Sequence, residues 1–491
     1  MIVLGGFLNL FDIITKYKNS DKIAIYENER ELSYRQLYNG AINLSHQIIK
    51  KKREEKVAIF LHSGCDYIVA LFAIFNSGCT VVPININAMQ NELLWDYQVC
   101  EFSYLVTSAK YINRLPDKIK ENKELYILVS DDVSLKNSYE TWRGDEQDIN
   151  DIALLMNTSG TTSNMKFVML SHNNIMSCVE SFADSAKYSD EMILLIKCAF
   201  SSSYGNAVLL SALFKHATVV CGDNIISQRN FLELIEKRKV TDVECISSFL
   251  HVITQNELSQ KYNIKSLKCI CFGGDVAYKE TIIRLHQVYQ DIAISQRYGM
   301  SEASPMITVF DSSISRNDKM MFDNKISSVG TAIKNVELKI DRDAYEGELL
   351  VRGPNVMVGY YNNQEETEKT IVDGWLHTGD VASIDEDGFV FIKGRKKNII
   401  IVGGYNVLPE EVENILCSYS GVNLAFVYGG DDENNGQRIE CKIEVSSEFN
   451  STELELKKYC RSVLPTYKVP HKIQIVDSIN RNHSGKIARK K

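Results

Sequence analysis

The order of apolar and polar positions predicts alternating strands and helices over most of the chain. Residues 56–61 and 80–84 are apolar runs typical of buried strands, and the apolar segment 67–76 between them predicts a helix. Strand, helix and strand in this order build a parallel sheet that helices cover. The same pattern continues through strands predicted at 217–220, 267–272 and 292–295 and a helix predicted at 231–237. We therefore expect an α/β protein with a doubly wound architecture.

The pattern changes after Gly330. Short strands separated by turns are predicted at 336–340, 347–351 and 389–392. Gly394 then introduces a segment with its own strand and helix signals, including a helix predicted at 409–416, which is typical of a second domain. We expect a large N-terminal domain, residues 1–394, with mostly parallel helix-covered sheets and a β-rich section, and a small C-terminal α+β domain, residues 395–491.

Length and composition indicate a globular protein of more than one domain. A chain of 491 residues exceeds the size at which a single core usually stops growing. The net charge of −8 provides no basic excess to neutralise a phosphate backbone, which argues against nucleic-acid binding. No run of about 18 uninterrupted apolar residues occurs, so we expect no membrane span. The apolar N-terminus lacks a basic start and a small-residue cleavage site, which favours a packed first helix over a signal peptide.

The 12 cysteines lie singly at irregular spacing. No Cys-x-x-Cys occurs, which disfavours a zinc or redox site. The closest pair, Cys269 and Cys271, occupies alternate positions of a predicted strand and is interpreted as core packing. Free thiols in this number are typical of a reducing compartment, and we expect a cytoplasmic protein.

The most informative stretch follows a predicted strand and ends at Lys166. Hydroxyl side chains surround a glycine there, in the order Thr158, Ser159, Gly160, Thr161 and Thr162. Hydroxyls and turn N–H groups supply hydrogen-bond donors, glycine admits close backbone approach, and lysine supplies a positive charge, a combination that suits a polyphosphate. No glycine directly precedes Lys166, so the common phosphate-loop pattern is absent. Taken alone, the stretch is more typical of an ordinary solvated turn.

Four later segments join this stretch, and together they resemble the acyl-adenylate-forming superfamily of acyl-CoA synthetases, peptide-synthetase adenylation domains and beetle luciferases. The resembling segments, in chain order, are residues 158–166 with 170–172, 297–302, 374–380, 394–397 and 484–486. Their order and separations are similar to those of the family over nearly the whole chain. The phosphate loop, residues 158–166, departs from the family pattern at Ser163 and Met165, and the chain departs again at Phe167, where glycine, proline and glycine are common. These departures leave the affinity for ATP open.

The resemblance implies an ATP site in the larger domain. Tyr298 would stack on the adenine, Ser301 would hydrogen-bond the α-phosphate, and Glu302 would hold Mg²⁺, which prefers carboxylate and phosphate oxygens. Asp380 would accept hydrogen bonds from the ribose hydroxyls, and Arg395 would add a contact to ribose or phosphate. The other cofactor-binding residues that the resemblance implies are Thr158, Ser159, Gly160, Thr161, Thr162 and Lys166 at the β- and γ-phosphates, and Gly274, Asp275 and Gly299 beside the adenine.

The resemblance also implies that the small domain is mobile and carries the main catalytic residue. Lys486 would swing onto the acyl carboxylate and the α-phosphate, where its ammonium orients the attack and offsets developing charge. Lys397 matches the hinge of this domain, and Gly403 and Gly404 match the segment that lines the path of the thiol. Without the family, a lysine so near the chain end would be interpreted as a solvated tail charge.

The same resemblance implies an acid pocket formed by Phe200, Ser203, Tyr204, Gly273 and Met300. No aspartate lies near Ser203, where amino-acid-activating relatives commonly place one to pair with the α-ammonium. Its absence favours a fatty or aryl acid as substrate, although Asp275 leaves an amino-bearing acid open.

The sequence thus predicts an ATP-dependent acid–thiol ligase. It would activate a carboxylic acid to an acyl-AMP with release of pyrophosphate, through Lys486, Glu302 and Ser301, and would then pass the acyl group to CoA, with Mg²⁺ as metal cofactor. The phosphopantetheine arm of an acyl or peptidyl carrier protein is an alternative acceptor, and a non-catalytic ligand-binding protein of the same fold is a further alternative. The sequence does not separate these acceptors, nor a monomer from a homodimer.

Overall fold

The structure is a computed structural model that describes residues 9–48, 55–130, 135, 148–158, 165–222, 227–254, 258–275, 277–341, 345–432, 436–446 and 449–480. It confirms the predicted fold class, because it contains two mostly parallel sheets, an antiparallel section and a small C-terminal sheet. The division into domains at residues 394 and 395 stays a prediction.

The larger of the two mostly parallel sheets has nine strands, with parallel pairs in the middle and antiparallel pairs at both edges. In spatial order they are Thr331–Ala332, Met306–Val309, Ala293–Gly299, Cys269–Gly273, Asp242–Ile246, Ile193–Lys197, Thr218–Cys221, Ile23–Glu27 and Arg30–Ser33. The strands predicted at 217–220, 267–272 and 292–295 are all present, with shifted ends. The antiparallel edges were not predicted.

The second mostly parallel sheet has seven strands. In spatial order they are Gly359–Tyr360, Phe167–Ser171, Ile152–Asn157, Thr80–Pro83, Lys56–Phe60, Tyr104–Thr107 and Tyr126–Val129. The first three pair antiparallel and the others parallel. This order brings the ends of the phosphate loop next to the short strand Gly359–Tyr360.

Two five-stranded sheets complete the β-structure that is described. The β-rich section is antiparallel and contains Glu337–Ile340, Glu346–Arg352, Ile371–Val372, Trp375–Ile384 and Val390–Arg395. The small C-terminal sheet contains Ile400–Val402, Tyr405–Val407, Val422–Asp432, Gly436–Val445 and Lys472–Ile475.

Helices cover these sheets. The α-helices are Asp12–Thr15, Tyr34–Ser45, Cys65–Ser77, Gln90–Cys100, Ala109–Ile112, Asp117–Lys120, His172–Ser185, Ser203–Phe214, Gln228–Arg238, Phe249–Ile253, Lys279–Val288, Ser312–Asn317, Lys319–Lys325, Gln364–Thr370, Pro409–Cys417 and Glu453–Val463. Short 3₁₀ turns occur at Leu258–Lys261, Ser301–Ala303, Lys396–Asn398 and Thr466–Lys468. The helices predicted at 67–76, 231–237 and 409–416 each lie inside one of these helices.

The main core lies between the two mostly parallel sheets. Alternate residues of a strand point to opposite faces, so Val57 and Ile59 enter this shared core while Ala58 and Phe60 enter a separate core on the outer face. Helix Cys65–Ser77 is buried on nearly all sides and packs on strands of both sheets. A helix that is apolar all round is stable only in such a buried position.

The structure describes only part of the N-terminal segment for which a packed first helix was expected. Only Asp12–Thr15 is helical there, after the buried residues Leu10 and Phe11, and residues 1–8 lie outside the described ranges. All 12 cysteines are free and buried. Among the helices of the described ranges, none has both the length and the apolar character needed to cross a membrane.

Candidate active site

Two hydrogen bonds join the ends of the phosphate loop. The Thr158 N–H donates to the Lys166 carbonyl at 2.9 Å, and the Lys166 N–H donates to Thr158 Oγ1 at 3.3 Å. The flanking strands, Ile152–Asn157 and Phe167–Ser171, pair antiparallel, so the loop is a connection at their common end. The loop residues Ser159, Gly160, Thr161 and Thr162 lie outside the described residues, and their contact with phosphates stays a prediction.

The side chain of Lys166 lies in a cluster that the sequence did not predict. Its ammonium pairs with the carboxylate of Glu366 and lies 4.8 Å from the centre of the Tyr360 ring. The Tyr360 hydroxyl donates to Glu302 Oε1 at 2.8 Å. Burial raises the pKa of Tyr360, so its phenol remains a donor at neutral pH. The predicted phosphate-binding cation and the predicted metal ligand therefore share one aromatic neighbour.

The surroundings of Glu302 fit a magnesium ion. Glu302 lies in the turn Ser301–Ala303, and the Met357 N–H donates to its backbone carbonyl at 2.9 Å, which fixes the turn. Mg²⁺ is commonly held by one or two carboxylates together with phosphate oxygens of the substrate. Glu302 supplies one such carboxylate, and its binding of the ion stays a prediction.

The segment before Glu302 requires glycine at one position. Strand Ala293–Gly299 ends where a Cβ on Gly299 would lie 1.6 Å from the Pro305 carbonyl oxygen, so a larger residue cannot be accommodated without moving the backbone. The Met300 N–H donates to that same oxygen at 2.9 Å. The hydroxyl of Ser301 follows directly and lies 2.9 Å from the hydroxyl of Ser203.

The contact between Ser203 and Ser301 joins the two halves of the predicted site. Ser203 begins helix Ser203–Phe214, whose N-cap Ser202 accepts a hydrogen bond from the Gly205 N–H at 3.1 Å. The sequence predicted Ser203 in the acid pocket and Ser301 at the α-phosphate. An acid beside Ser203 would thus lie next to the phosphate that it must attack.

Asp380 lies in a second polar cluster. Its Oδ2 accepts a hydrogen bond from the Tyr298 hydroxyl at 2.7 Å, and its Oδ1 lies 2.7 Å from Arg395 Nε. Asp380 is only 4% exposed, and burial together with this carboxylate raises the pKa of Tyr298. The three residues that the sequence assigned to adenine and ribose therefore contact one another. Stacking of Tyr298 on the adenine and binding of the ribose stay predictions.

The structure describes the surroundings of several other residues that were predicted at the acid pocket and the adenine. Phe200 is fully buried, and its ring packs on Tyr67 with centroids 5.8 Å apart. Gly273 ends the strand Cys269–Gly273, and Gly274 follows with a φ of +82°, a conformation that favours glycine. The carbonyl of Asp275 accepts a hydrogen bond from the Ser247 hydroxyl at 2.8 Å. Direct contact of these residues with an acid stays a prediction.

In the small C-terminal region, Lys397 lies in the turn Lys396–Asn398. Gly403 and Gly404 form the turn between two strands of the small sheet, and their φ values of +55° and +86° belong to the left-handed region. The predicted catalytic residue Lys486 lies outside the described residues. Its role, the hinge at Lys397 and the thiol path at the two glycines stay predictions.

A buried acid near the acid pocket was also missed by the sequence reasoning. Glu244, in strand Asp242–Ile246, is fully buried and pairs with Arg297, which is also buried. The available signal was an acidic residue between the apolar residues Val243 and Cys245. Such a residue needs a partner when it is buried.

Comparison with known proteins assigns the family. The AMP-binding enzyme family matches residues 15–361, and the AMP-binding enzyme C-terminal domain matches residues 411–486. The chain belongs to the AMP-binding enzyme family. The resemblance stated from the sequence is therefore confirmed.

Curated relatives align over nearly the whole chain. A 2-succinylbenzoate–CoA ligase from Bacillus cereus (strain Q1) is 30% identical over 486 residues, covering 96% of this chain and 95% of the relative. A 2-succinylbenzoate–CoA ligase from Geobacillus sp. (strain WCH70) is 28% identical over 484 residues, covering 96% and 94%. The relatives' names agree with the acid–CoA ligase activity predicted from the sequence.

Solved structures support the fold. The o-succinylbenzoate CoA synthetase of Bacillus subtilis, in complex with the acyl-adenylate intermediate OSB-AMP, has a TM-score of 0.83 at 25% identity, covering 98% of this chain and 97% of that one. The amide bond synthetase McbA from Marinactinospora thermotolerans has a TM-score of 0.87 at 22% identity, covering 97% and 98%, and is similar in fold.

Proposed function

We propose that the protein activates a carboxylic acid with ATP to an acyl-AMP, releases pyrophosphate, and transfers the acyl group to the thiol of CoA. The observation that carries this proposal is the 2.9 Å contact between the hydroxyls of Ser203 and Ser301. Acyl activation requires the acid and the α-phosphate to meet, and this contact brings the expected acid pocket next to the expected α-phosphate position. Family membership and the names of the relatives support the same reaction.

We propose distinct roles for the site residues in this reaction. Asp380 and Arg395, which contact each other, would orient the nucleotide through the ribose, and Ser301 would donate to the α-phosphate. Lys166 and a Mg²⁺ ion held by Glu302 would offset the charge that concentrates on the departing pyrophosphate. Such preorganised groups stabilise the transition state because they need no rearrangement when the charge develops. Lys486 would complete the site from the small domain and orient the acyl carboxylate.

The chemical class of the acid is part of the proposal. The relatives are named for 2-succinylbenzoate, an aryl acid, and the absence of an aspartate near Ser203 disfavours an α-amino acid. We propose an aryl or short apolar acid as substrate, with 2-succinylbenzoate as the first one to test. We also propose CoA as the acceptor because the curated relatives are named CoA ligases.

The cysteines indicate the compartment in which the enzyme acts. All 12 are free and buried, which favours a reducing compartment, and we propose a cytoplasmic enzyme. For the oligomeric state, we propose a monomer or a homodimer. A carrier protein's phosphopantetheine remains the alternative acceptor.

The proposed function is tested by exchange of labelled pyrophosphate into ATP. Purified protein with Mg²⁺ and ATP is given a panel containing 2-succinylbenzoate, benzoate, hexanoate, dodecanoate and phenylalanine. We expect exchange with an aryl or short acid, and acyl-CoA formation when CoA is added. Glu302→Gln is expected to need more Mg²⁺ for half-maximal exchange, because it loses a charged ligand.

Each contrary result identifies one alternative. Exchange followed by transfer only to a phosphopantetheinylated carrier protein would favour the free-standing adenylation enzyme. Binding of ATP and acid with no exchange for any acid would favour a non-catalytic protein and reject the proposed reaction.

A further inference from the structure

Glu244 has its carboxylate fully engaged by three neighbouring side chains. Oε1 accepts hydrogen bonds from Arg297 Nη2 at 3.0 Å and from the Tyr188 hydroxyl at 2.9 Å, and Oε2 accepts from the Tyr204 hydroxyl at 2.6 Å. The side chains of Glu244 and Arg297 are 0% and 3% exposed. The charges therefore compensate each other inside the protein, as buried charges must.

The two tyrosines are neutral donors to the same carboxylate. Burial raises the pKa of both Tyr188 and Tyr204 well above the ordinary value for a phenol. Each hydroxyl thus carries its proton and donates it to Glu244. A hydroxyl committed in this way does not offer its proton to a bound acid, and the ring that carries it is held in one orientation.

Tyr204 links the Glu244 carboxylate to the expected acid pocket. It follows Ser203, the residue whose hydroxyl contacts Ser301. Its Cδ1 atom lies 3.7 Å from the position that a Cβ on Gly274 would occupy, so the ring faces the turn formed by Gly273 and Gly274. The ring therefore borders this turn and lies one residue along the helix from Ser203.

We propose that Glu244 is a positioning residue for acid selection, which holds the Tyr204 ring as an apolar wall of the acid pocket. The inference rests on the proposed function and extends it to the part of the acid distant from its reacting carboxylate. Because the Tyr204 hydroxyl points to Glu244, the wall presents aromatic carbon to the substrate. An aryl or short apolar group fits against such a wall, whereas a long chain is blocked by it.

Tyr188 provides a matched control for this proposal. Tyr188→Phe and Tyr204→Phe each remove one hydroxyl from the same buried carboxylate. The Tyr188 ring, however, packs against Phe182 with centroids 5.3 Å apart, just beyond helix His172–Ser185. If Glu244 and its partners had only a structural role, the two variants would have the same KM for the acid. If Tyr204 borders the acid pocket, only Tyr204→Phe would change that KM.

The experiment measures KM for acid and for ATP by pyrophosphate exchange in both variants. It also measures the rise in melting temperature that each acid causes in the presence of AMP, which requires no turnover. We expect both variants to melt at similar, lower temperatures. Tyr204→Phe should raise KM for the acid by up to about tenfold, because the ring loses the hydrogen bond that fixes its orientation, and should leave KM for ATP unchanged. Tyr188→Phe should leave both KM values unchanged.

A third variant tests the wall itself. Tyr204→Ala removes the ring and should shift preference from benzoate or 2-succinylbenzoate towards dodecanoate in exchange and in thermal protection. Equal effects of the two Phe variants on KM for the acid, or an unchanged acid preference in Tyr204→Ala, would overturn the proposal. If the parent protein shows acid-dependent protection but no exchange, the proposed reaction fails while the protection data still decide the role of Glu244. Absence of protection by every acid in the panel would reject the inference as well.

Discussion

Arg395 and Asp380 face each other across two neighbouring antiparallel strands, with Arg395 Nε 2.7 Å from Asp380 Oδ1. The Arg395 guanidinium also donates to the Thr378 carbonyl at 2.9 Å, so it contacts two positions of the segment 374–380. The other carboxylate oxygen of Asp380, Oδ2, accepts a hydrogen bond from the Tyr298 hydroxyl. Two residues from separate motifs, Arg395 and Tyr298, are thereby fixed around the buried carboxylate of a third.

The first prediction concerns Asp380→Asn. The amide keeps the shape but loses the charge that would accept two ribose hydroxyls, and a charged hydrogen bond contributes about 1.5–3 kcal/mol. We expect KM for ATP to rise at least about tenfold, with KM for the acid unchanged. Pyrophosphate exchange at varied ATP measures both values. Tyr298→Phe is the control, because it removes one hydrogen-bond donor to the Asp380 carboxylate and leaves the charge of that carboxylate in place. A lower melting temperature without any change in KM for ATP would assign Asp380 a structural role only.

The elements that the sequence predicted from its own pattern are those whose signal is local. Gly299 was assigned through the resemblance, and the structure supplies a physical reason for glycine there, because a Cβ would collide with the Pro305 carbonyl. Helix Cys65–Ser77 is apolar throughout, so its existence and burial could be predicted together. Asp380 and Arg395 were assigned through motifs of the family rather than from their physical environment.

The second prediction concerns the ion pair between Lys166 and Glu366. Lys166 must leave Glu366, at least in part, to bind a phosphate. Both side chains are partly exposed, at 27% and 35%, so the pair is worth at most about 1 kcal/mol. Glu366→Gln should therefore lower KM for ATP by no more than about fivefold. The difference should shrink as salt is added, because salt screens exposed charges.

Glu365→Gln is the matched control for this pair. Glu365 lies on the same helix, Gln364–Thr370, and its carboxylate pairs with Lys369 at 2.6 Å instead. This variant removes the same charge one residue away and should leave KM for ATP unchanged. Equal shifts in the two variants would indicate a general effect of net charge and would contradict a specific competition for Lys166.

The residues that sequence reasoning missed depend on contacts between distant segments. Tyr360 reaches Glu302 because the strand Gly359–Tyr360 pairs with Phe167–Ser171, and an isolated two-residue strand has no readable pattern. Glu366 lies 200 positions from Lys166 and looks like any acidic residue in the first turn of a helix. Glu244 carried a weak signal of its own, since it is an acidic residue between the apolar residues Val243 and Cys245.

The third prediction concerns Lys486, whose position lies outside the described residues. Lys486→Ala should slow adenylation about 100- to 1000-fold, the usual effect of removing one preorganised group that stabilises transition-state charge. ATP binding, measured by equilibrium titration, should be largely unchanged. Lys490→Ala removes a lysine from the same C-terminal segment and serves as control. Equal exchange rates for Lys486→Ala and the parent would remove Lys486 from its catalytic role.

The fourth prediction concerns pH and the buried Asp96. Asp96 is 5% exposed, and its Oδ1 accepts a hydrogen bond from Asn157 Nδ2 at 3.0 Å, directly before the phosphate loop. Burial raises the pKa of Asp96 to about 7. The unfolded chain loses this proton near pH 4, so the folded state binds more protons between about pH 4 and pH 7. The free energy of unfolding therefore falls as pH rises through this window, by up to about 4 kcal/mol from this group.

Asp96→Asn removes this dependence because an amide does not ionise. Relative to the parent, the variant should gain stability progressively between about pH 4 and pH 7 in urea unfolding. The buried His172, whose pKa is lowered to about 4 by burial, has the opposite pH dependence, but it is present in both proteins and cancels in the difference. Asp291→Asn, at an exposed position, is the control and should show no such trend. A difference between Asp96→Asn and the parent that stays constant over this range would mean that Asp96 ionises normally in the folded protein.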